Sequence, residues 1–220
     1  MSRPATARLF VAIDPPASIR EQLAAWARLA VASLGASGRA GIPRGVRLLE
    51  PETMHLTLCF IGSRPVEEIE SIAVALEGLA ATAGELFLGA PLWLPPRSPR
   101  SLALAVHDRH GELVALHDAV QSALADAIDW QPERRRFRAH VTVARLGRVR
   151  SPDRRADAGE RAAPATPQLS FVSPEVVLYR SWLAPAGASY EALTSSALSV
   201  PSDSSSPDGE EGVDGGSVIT

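Results

Sequence analysis

His55-Leu56-Thr57-Leu58-Cys59-Phe60 and His140-Val141-Thr142-Val143-Ala144-Arg145 decide the fold, because the second stretch repeats the pattern of the first 85 residues later. Five histidines and eight threonines in 220 residues give a chance expectation of about 0.2 His-x-Thr matches. Two matches therefore ask for a common cause. Both runs are apolar with strand character, and on a strand side chains alternate between faces. Each His then shares a face with its Thr, while Leu56, Leu58, Val141 and Val143 take the other. Unbroken alternation puts Cys59 and Ala144 on the histidine face, as small neighbours of each ring, and turns Phe60 and Arg145 away.

Two imidazoles converging on one cleft can act as general base and general acid in an in-line displacement at phosphorus, because the unperturbed pKa of histidine lies near neutrality. Two threonine hydroxyls beside them can donate to the non-bridging oxygens, where charge accumulates. An isolated strand histidine is more often a satisfied structural group; duplication of the whole pattern argues for chemistry. Zinc competes poorly, since a catalytic zinc takes three protein ligands and no His, Cys or acid shares the local pattern. A nucleophilic Cys59 has strand parity in its favour but no duplicated partner.

Working outward, strands are predicted at Arg8–Ile13, Val46–Leu49, His55–Phe60, Glu85–Leu94, Leu102–Val106, His140–Leu146 and Val176–Leu183. Helices are predicted from a Ser18–Glu21 capping box to Gly35, from Pro65 to Gly84, and from Gly111 to Ile128. Adjacent strands with interspersed helices give an α+β class and exclude a doubly wound parallel sheet. No glycine-rich phosphate loop follows any strand. The Arg-, Asp-, Ala- and Pro-rich segment at 149–168 reads as a surface loop. Residues 195–220 read as a disordered acidic Ser- and Gly-rich tail, too poor in apolar residues to offset chain entropy. The expected folded domain is residues 1–194.

Composition bounds the rest. Hydrophobic residues make up 45% and charged residues 21%, ordinary globular usage. The single cysteine excludes an internal disulfide, and the short apolar run Leu9–Ile13 is neither a signal core nor a membrane span. A cytoplasmic monomer without membrane contact or cofactor is expected. The net charge is −3, but the acids of 195–220 contribute −5 and leave residues 1–194 at +2. All 22 basic residues are arginine, whose planar fork suits phosphate. Arg134, Arg135, Arg136 and Arg138 read equally as an RNA-backbone contact and as a solvated charged face. His107, His110 and His117 are expected on the surface, and Trp93, Trp130 and Trp182 as core or edge packing.

The two motifs, together with Arg8–Ile13, Leu49–Met54, Phe60-Ile61-Gly62, Pro99–Val106, Arg136–Ala139, Val177–Ser181 and Gly187–Tyr190, resemble the 2H phosphoesterases. Within them the likeness is to the bacterial RNA 2′,3′-cyclic phosphodiesterase (LigT, or 2′-5′ RNA ligase-like) group, and it covers nearly all of residues 8–194. The sequence departs from the family in having Ala139 where Pro is frequent and Leu48 where an aromatic residue is frequent.

The resemblance implies a bilobal fold of two antiparallel sheets related by pseudo-twofold symmetry, with flanking helices around a central groove. It implies hydrolysis of RNA or nucleotide 2′,3′-cyclic phosphates to a 2′-phosphomonoester, without metal. His55 would be the proton donor, His140 the proton acceptor, Thr57 and Thr142 phosphate ligands, and Arg145 and Phe60 substrate contacts. The implied partners are RNA ends or nucleotide cyclic phosphates. An RNA-end binding module without turnover and ATP-independent 2′-5′ end joining remain open, and motif symmetry alone allows the reverse order of acid and base.

Overall fold

The computed structural model describes residues 5–33, 42, 45–133, 135–147, 164–184 and 187–199. In chain order the elements are β1 (Thr6–Ile13), α1 (Ala17–Ala32), β2 (Val46–Leu48), β3 (Leu56–Pro65), α2 (Ile69–Glu77), β4 (Leu86–Leu94), β5 (Ser101–His107), α3 (Glu112–Ala127), β6 (His140–Leu146), β7 (Ser170–Phe171), β8 (Glu175–Ala184) and β9 (Gly187–Ala197). The strands run β7-β4-β5-β6-β3-β1-β8-β9, with β2 also on β6, and every named pairing is antiparallel. The fold is α+β.

Where the resemblance implies two antiparallel sheets, the strands form one sheet with the halves β9-β8-β1-β3 and β6-β5-β4-β7, each four strands wide. They meet through a single residue pair, Leu56 with Val141, which joins them into one continuous sheet. Both residues are completely buried. Truncating Leu56 to Ala would therefore open a cavity at the junction, at a cost of about 2–5 kcal/mol.

The helices cover one face of this sheet because their apolar residues recur at helical spacing. In α1 the buried set includes Ile19, Leu23, Trp26, Ala27 and Ala30, and in α3 it includes Leu113, Leu116, Val120 and Leu124. Helix α1 follows β1 but packs against β6, and α3 follows β5 but packs against β3. Each motif strand thus rests on the helix of the other half. The groove forms along the junction, and its lining also takes in His117 and Gln121 of α3.

Several local readings change. The Ser18–Glu21 box makes no cap, because the helix already begins at Ala17 behind Pro16 with no side-chain cap hydrogen bond. Helix α2 stops at Glu77 with Gly78 as its cap, well before Gly84. Strand β9 was not anticipated: its exposed, polar-rich sequence carries little periodic signal, and its place comes from pairing along β8. The fold also continues past Thr194. The Leu198 and Ser199 amides donate to Pro174 and Ala81, Ser199 accepts from Ala83, and Leu198 is buried. Residues 200–220 and most of the expected 149–168 loop lie outside the described residues. Among the described residues no helix is long and apolar enough to cross a membrane.

Candidate active site

Antiparallel register carried one residue either way from the Leu56–Val141 pair sets His55 across from Thr142 and Thr57 across from His140. All four side chains therefore share the face opposite Leu56 and Val141, and all four are half-buried in the lining of a groove of about 1230 Å³. The two histidines are diagonal neighbours, a relation that in an antiparallel pair separates side-chain origins by roughly 7–8 Å. One phosphorus centre fits between rings so placed. Among the described residues neither threonine hydroxyl has a hydrogen-bond partner, so both can donate into the groove.

The Nδ1 of His140 lies 2.7 Å from the carbonyl oxygen of Arg138, and the Thr53 backbone favours the protonated form of His55. The His140 ring thus donates to a carbonyl two residues upstream. With Nδ1–H committed in His140, Nε2 is the nitrogen left to face the groove.

Just beyond each threonine the alternation breaks. On β1, Ala12 pairs with Thr57 and Val11 with Cys59, so Leu58 is an extra residue. On β5, Ala103 pairs with Thr142 and Leu102 with Ala144, so Val143 is extra in the same way. These are β-bulges three residues after each His, and a bulge re-aims the side chains beyond it. The parity expected from simple alternation is overturned. Cys59 and Ala144 turn into the core, whereas Phe60 and Arg145 face the groove and are exposed. Burial pushes the Cys59 thiol up to about 12, helped by Glu133, so Cys59 is an inert core residue.

Beyond that shared plan the halves differ. His55 stands in an aromatic nest: the Phe10 ring is 4.8 Å away, Tyr190 5.0 Å away edge-on, and Tyr179 6.0 Å away. Phe10 in turn stacks on Tyr179 at 5.1 Å, and the Tyr179 hydroxyl donates to Asp14 Oδ2 at 2.5 Å. The half-buried Asp14 carboxyl is raised by desolvation, an effect opposed by this hydrogen bond and by Arg20. None of these aromatic residues was singled out from the sequence as a site residue. The signal was available for Phe10, since alternation in β1 sets Arg8, Phe10 and Ala12 on one face.

The second half carries charge where the first carries rings. Phe10 pairs with Phe60 on one side, and Ser101 pairs with Arg145 on the other. Arg145 also sits opposite Arg47 of β2. Arg47 reaches across the groove to the β8–β9 turn, where a side chain at Gly187 would collide with its guanidinium. Leu48, next along β2, packs against the core.

Burial sets the titration of both rings. His55 is lowered to about 4, first by desolvation and then by the Arg145 and His140 charges, against the Thr53 hydrogen bond. His140 is also lowered, first by desolvation, with Arg138 and Arg145 adding to it and the Arg138 carbonyl opposing. Both rings thus hold a proton less readily than a free imidazole, and His55 is uncharged at neutral pH in the free protein. Among the described residues no group of three or more His, Cys, Asp or Glu lies together as a metal site.

His117, expected on the surface, is instead buried on α3, with Nδ1 2.8 Å from Asp118 Oδ1 and its ring stacked 4.1 Å from Phe137. Its i, i+4 relation to Leu113 and Gln121 and its neighbour Leu116 mark the inner helix face, a signal hidden by reading it as part of the preceding turn. His107 and His110 are exposed. Trp93 and Trp130 pack partly against the core, and Trp182 is exposed under the Arg180 guanidinium.

Known proteins are similar to this chain in sequence and fold. The family described as "LigT like Phosphoesterase" matches residues 106–190, a span holding the second motif, Arg145, Tyr179 and Tyr190. An RNA 2′,3′-cyclic phosphodiesterase of Archaeoglobus fulgidus is 32% identical over 142 residues, covering 64% of this chain and 73% of that protein. The crystal structure of E. coli LigT complexed with 3′-AMP is 26% identical with a TM-score of 0.67, over 88% of this chain and 99% of that one. A Thermus thermophilus protein of known structure is 25% identical with a TM-score of 0.65, over 87% and 97% of the two chains.

Proposed function

The chain belongs to the LigT-like phosphoesterase family of 2H phosphoesterases, and from that premise we propose that it hydrolyses RNA or nucleotide 2′,3′-cyclic phosphates to 2′-phosphomonoesters by paired-histidine catalysis. The observation that carries this reading is the single Leu56–Val141 pair, which brings two His-x-Thr motifs onto one face of one groove.

In the proposed reaction His140 accepts a proton from water as its oxygen attacks phosphorus opposite the P–O3′ bond. That bond breaks, and His55 gives a proton to the departing 3′ oxygen. One water is consumed, the 2′ ester stays intact, and solvent exchange resets the two rings. Thr57 and Thr142 donate to the non-bridging oxygens, and Arg145 neutralises the developing charge; oriented donors of this kind contribute most where water is excluded. The order of roles follows the family likeness. It also suits the aromatic nest, because a ring whose burial loosens its hold on a proton is the stronger acid.

The test is a short RNA ending in a 2′,3′-cyclic phosphate, incubated with the full chain in EDTA. A 2′-phosphomonoester is expected, with His55→Ala or His140→Ala lowering turnover by orders of magnitude while far-UV circular dichroism is unchanged. A 3′-phosphomonoester, or wild-type turnover in either variant, would overturn the proposal. Binding of a 2′-phosphorylated end with no hydrolysis would point to a non-catalytic module, and joined tRNA halves to end joining.

A further inference from the structure

A cyclic phosphate carries one negative charge, yet among the described residues seven arginines line the groove against one acid, Glu133. The groove also exceeds the roughly 300–1,000 Å³ usual for small-molecule pockets. Three of the seven arginines belong to one segment. The segment leading from α3 into β6 brings Arg135, Arg136 and Arg138 to the groove wall, all exposed.

This wall is anchored. Phe137, between Arg136 and Arg138, turns inward to stack on the buried His117 ring at 4.1 Å and packs against the core. With Phe137 turned inward, its neighbours Arg136 and Arg138, and Arg135 at the bend before them, stand exposed on the groove wall. Arg135 and Arg136 lie five and four residues before His140, so the chain can carry them no more than about 14–18 Å from that ring. A few nucleotides cover such a distance.

Resting on the cyclic-phosphate reading above, we propose that this wall is a phosphate track for the RNA strand 5′ of the reacting end, so that the groove takes an oligonucleotide rather than a lone nucleotide. Arg135 and Arg136 hold backbone phosphates by charge-assisted hydrogen bonds. Such contacts carry affinity and register without reading base sequence.

The probe is a hexanucleotide ending in a 2′-phosphate, compared with a nucleoside 2′-phosphate by fluorescence anisotropy and competition over a salt series. The hexamer is expected to bind at least tenfold more tightly at low salt, with a steeper fall of log K against log salt. Each lost single-strand phosphate contact reduces that slope by about 0.7, so the Arg135→Gln/Arg136→Gln double variant should lower it by about 1.4. The same variant should leave mononucleotide binding unchanged. Arg28→Gln/Arg109→Gln, an equal charge change away from the groove, should move neither. Equal affinity for hexamer and mononucleotide, or equal effects of the two double variants, would overturn the track. Tight strand binding without hydrolysis would instead sink the hydrolase reading and leave the track standing.

Discussion

On the proposed reading His55 must be a cation to act as acid, yet its folded-state pKa near 4 leaves about one ring in a thousand charged at pH 7 in the free protein. Substrate has to supply the difference. A phosphate monoanion about 4 Å from the ring, at an effective dielectric near 20, interacts with the imidazolium by about 4 kcal/mol. That energy raises the pKa by about three, from about 4 to near 7. His140, lowered in the free protein by the same burial and by Arg145, rises too. Since kcat/KM reports the free enzyme and kcat the complex, the two pH profiles should separate. The kcat/KM bell should have an acid limb near 4 and an alkaline limb below the ordinary histidine value of about 6.5. The kcat bell should sit two or more pH units higher. The measurement is initial rate on a 2′,3′-cyclic nucleotide from pH 3.5 to 9, at substrate concentrations spanning KM, with histidine titration by NMR in the free protein. Superimposed profiles, or a His55 ring titrating near 6.5 in the free protein, would refute the account of how the acid is charged.

Other outcomes are expected at the same site. Arg145→Met removes a cation that lowers both rings, so both limbs of kcat/KM should move to higher pH. Loss of its charge-assisted contact, worth about 1.5–3 kcal/mol, should also cut kcat/KM by about ten- to a hundredfold. His55 binds its proton more weakly folded than unfolded, so the unfolded state takes up protons first as pH falls. Stability is therefore retained above about 6.5 and lost as pH drops toward 4, by up to about 3 kcal/mol. His55→Asn should flatten that loss in urea titrations run across the same pH range. Cys59, buried with its thiol pushed up to about 12, should resist thiol reagents in the native protein, and Cys59→Ala should keep turnover within twofold. If thiol labelling inactivates the native enzyme, the bulge has been placed wrongly.

What could be read from the sequence was whatever depends on local period and on duplication. The motif strands, their neighbours Arg8–Ile13 and Leu102–Val106, and the apolar stripes of α1 and α3 lie close to where alternation and helical spacing put them. The two His and two Thr share a face for the same reason. What failed was set by partners distant in the chain. Leu58 and Val143 look like ordinary strand residues, and only the pairing of their strands with β1 and β5 makes them extra. Parity therefore misplaced everything after them, Cys59, Phe60 and Arg145 alike. Strand β9 and the burial of Leu198 exist because β8 and the Ala81–Ala83 segment offer hydrogen-bond partners, which a window of polar sequence does not announce. His117 is the exception, since its local helical spacing on α3 already marks the inner face.

The departures from symmetry carry the most chemical meaning. A strict twofold would give two equivalent histidines, and equivalent groups cannot divide acid from base except by chance. Here the shared elements are a backbone partner two residues upstream and a bulge three residues downstream. The differences lie one step further out. Phe10, Tyr179 and Tyr190 crowd His55, while the matching side of His140 holds Ser101 and Arg145. The aromatic side desolvates a ring and offers flat apolar faces, and the charged side offers a guanidinium to phosphate. A nucleotide is itself divided in this way, into an apolar-faced base and an anionic ester, so the groove can hold one in a single orientation. Exchanging the two characters, with Phe60→Arg and Arg145→Phe together, should therefore fail to restore what Arg145→Phe loses, although the pseudo-twofold positions are kept. Recovery of wild-type kcat/KM in that double variant would mean that the halves are interchangeable, and that orientation, with the division into acid and base, is set elsewhere.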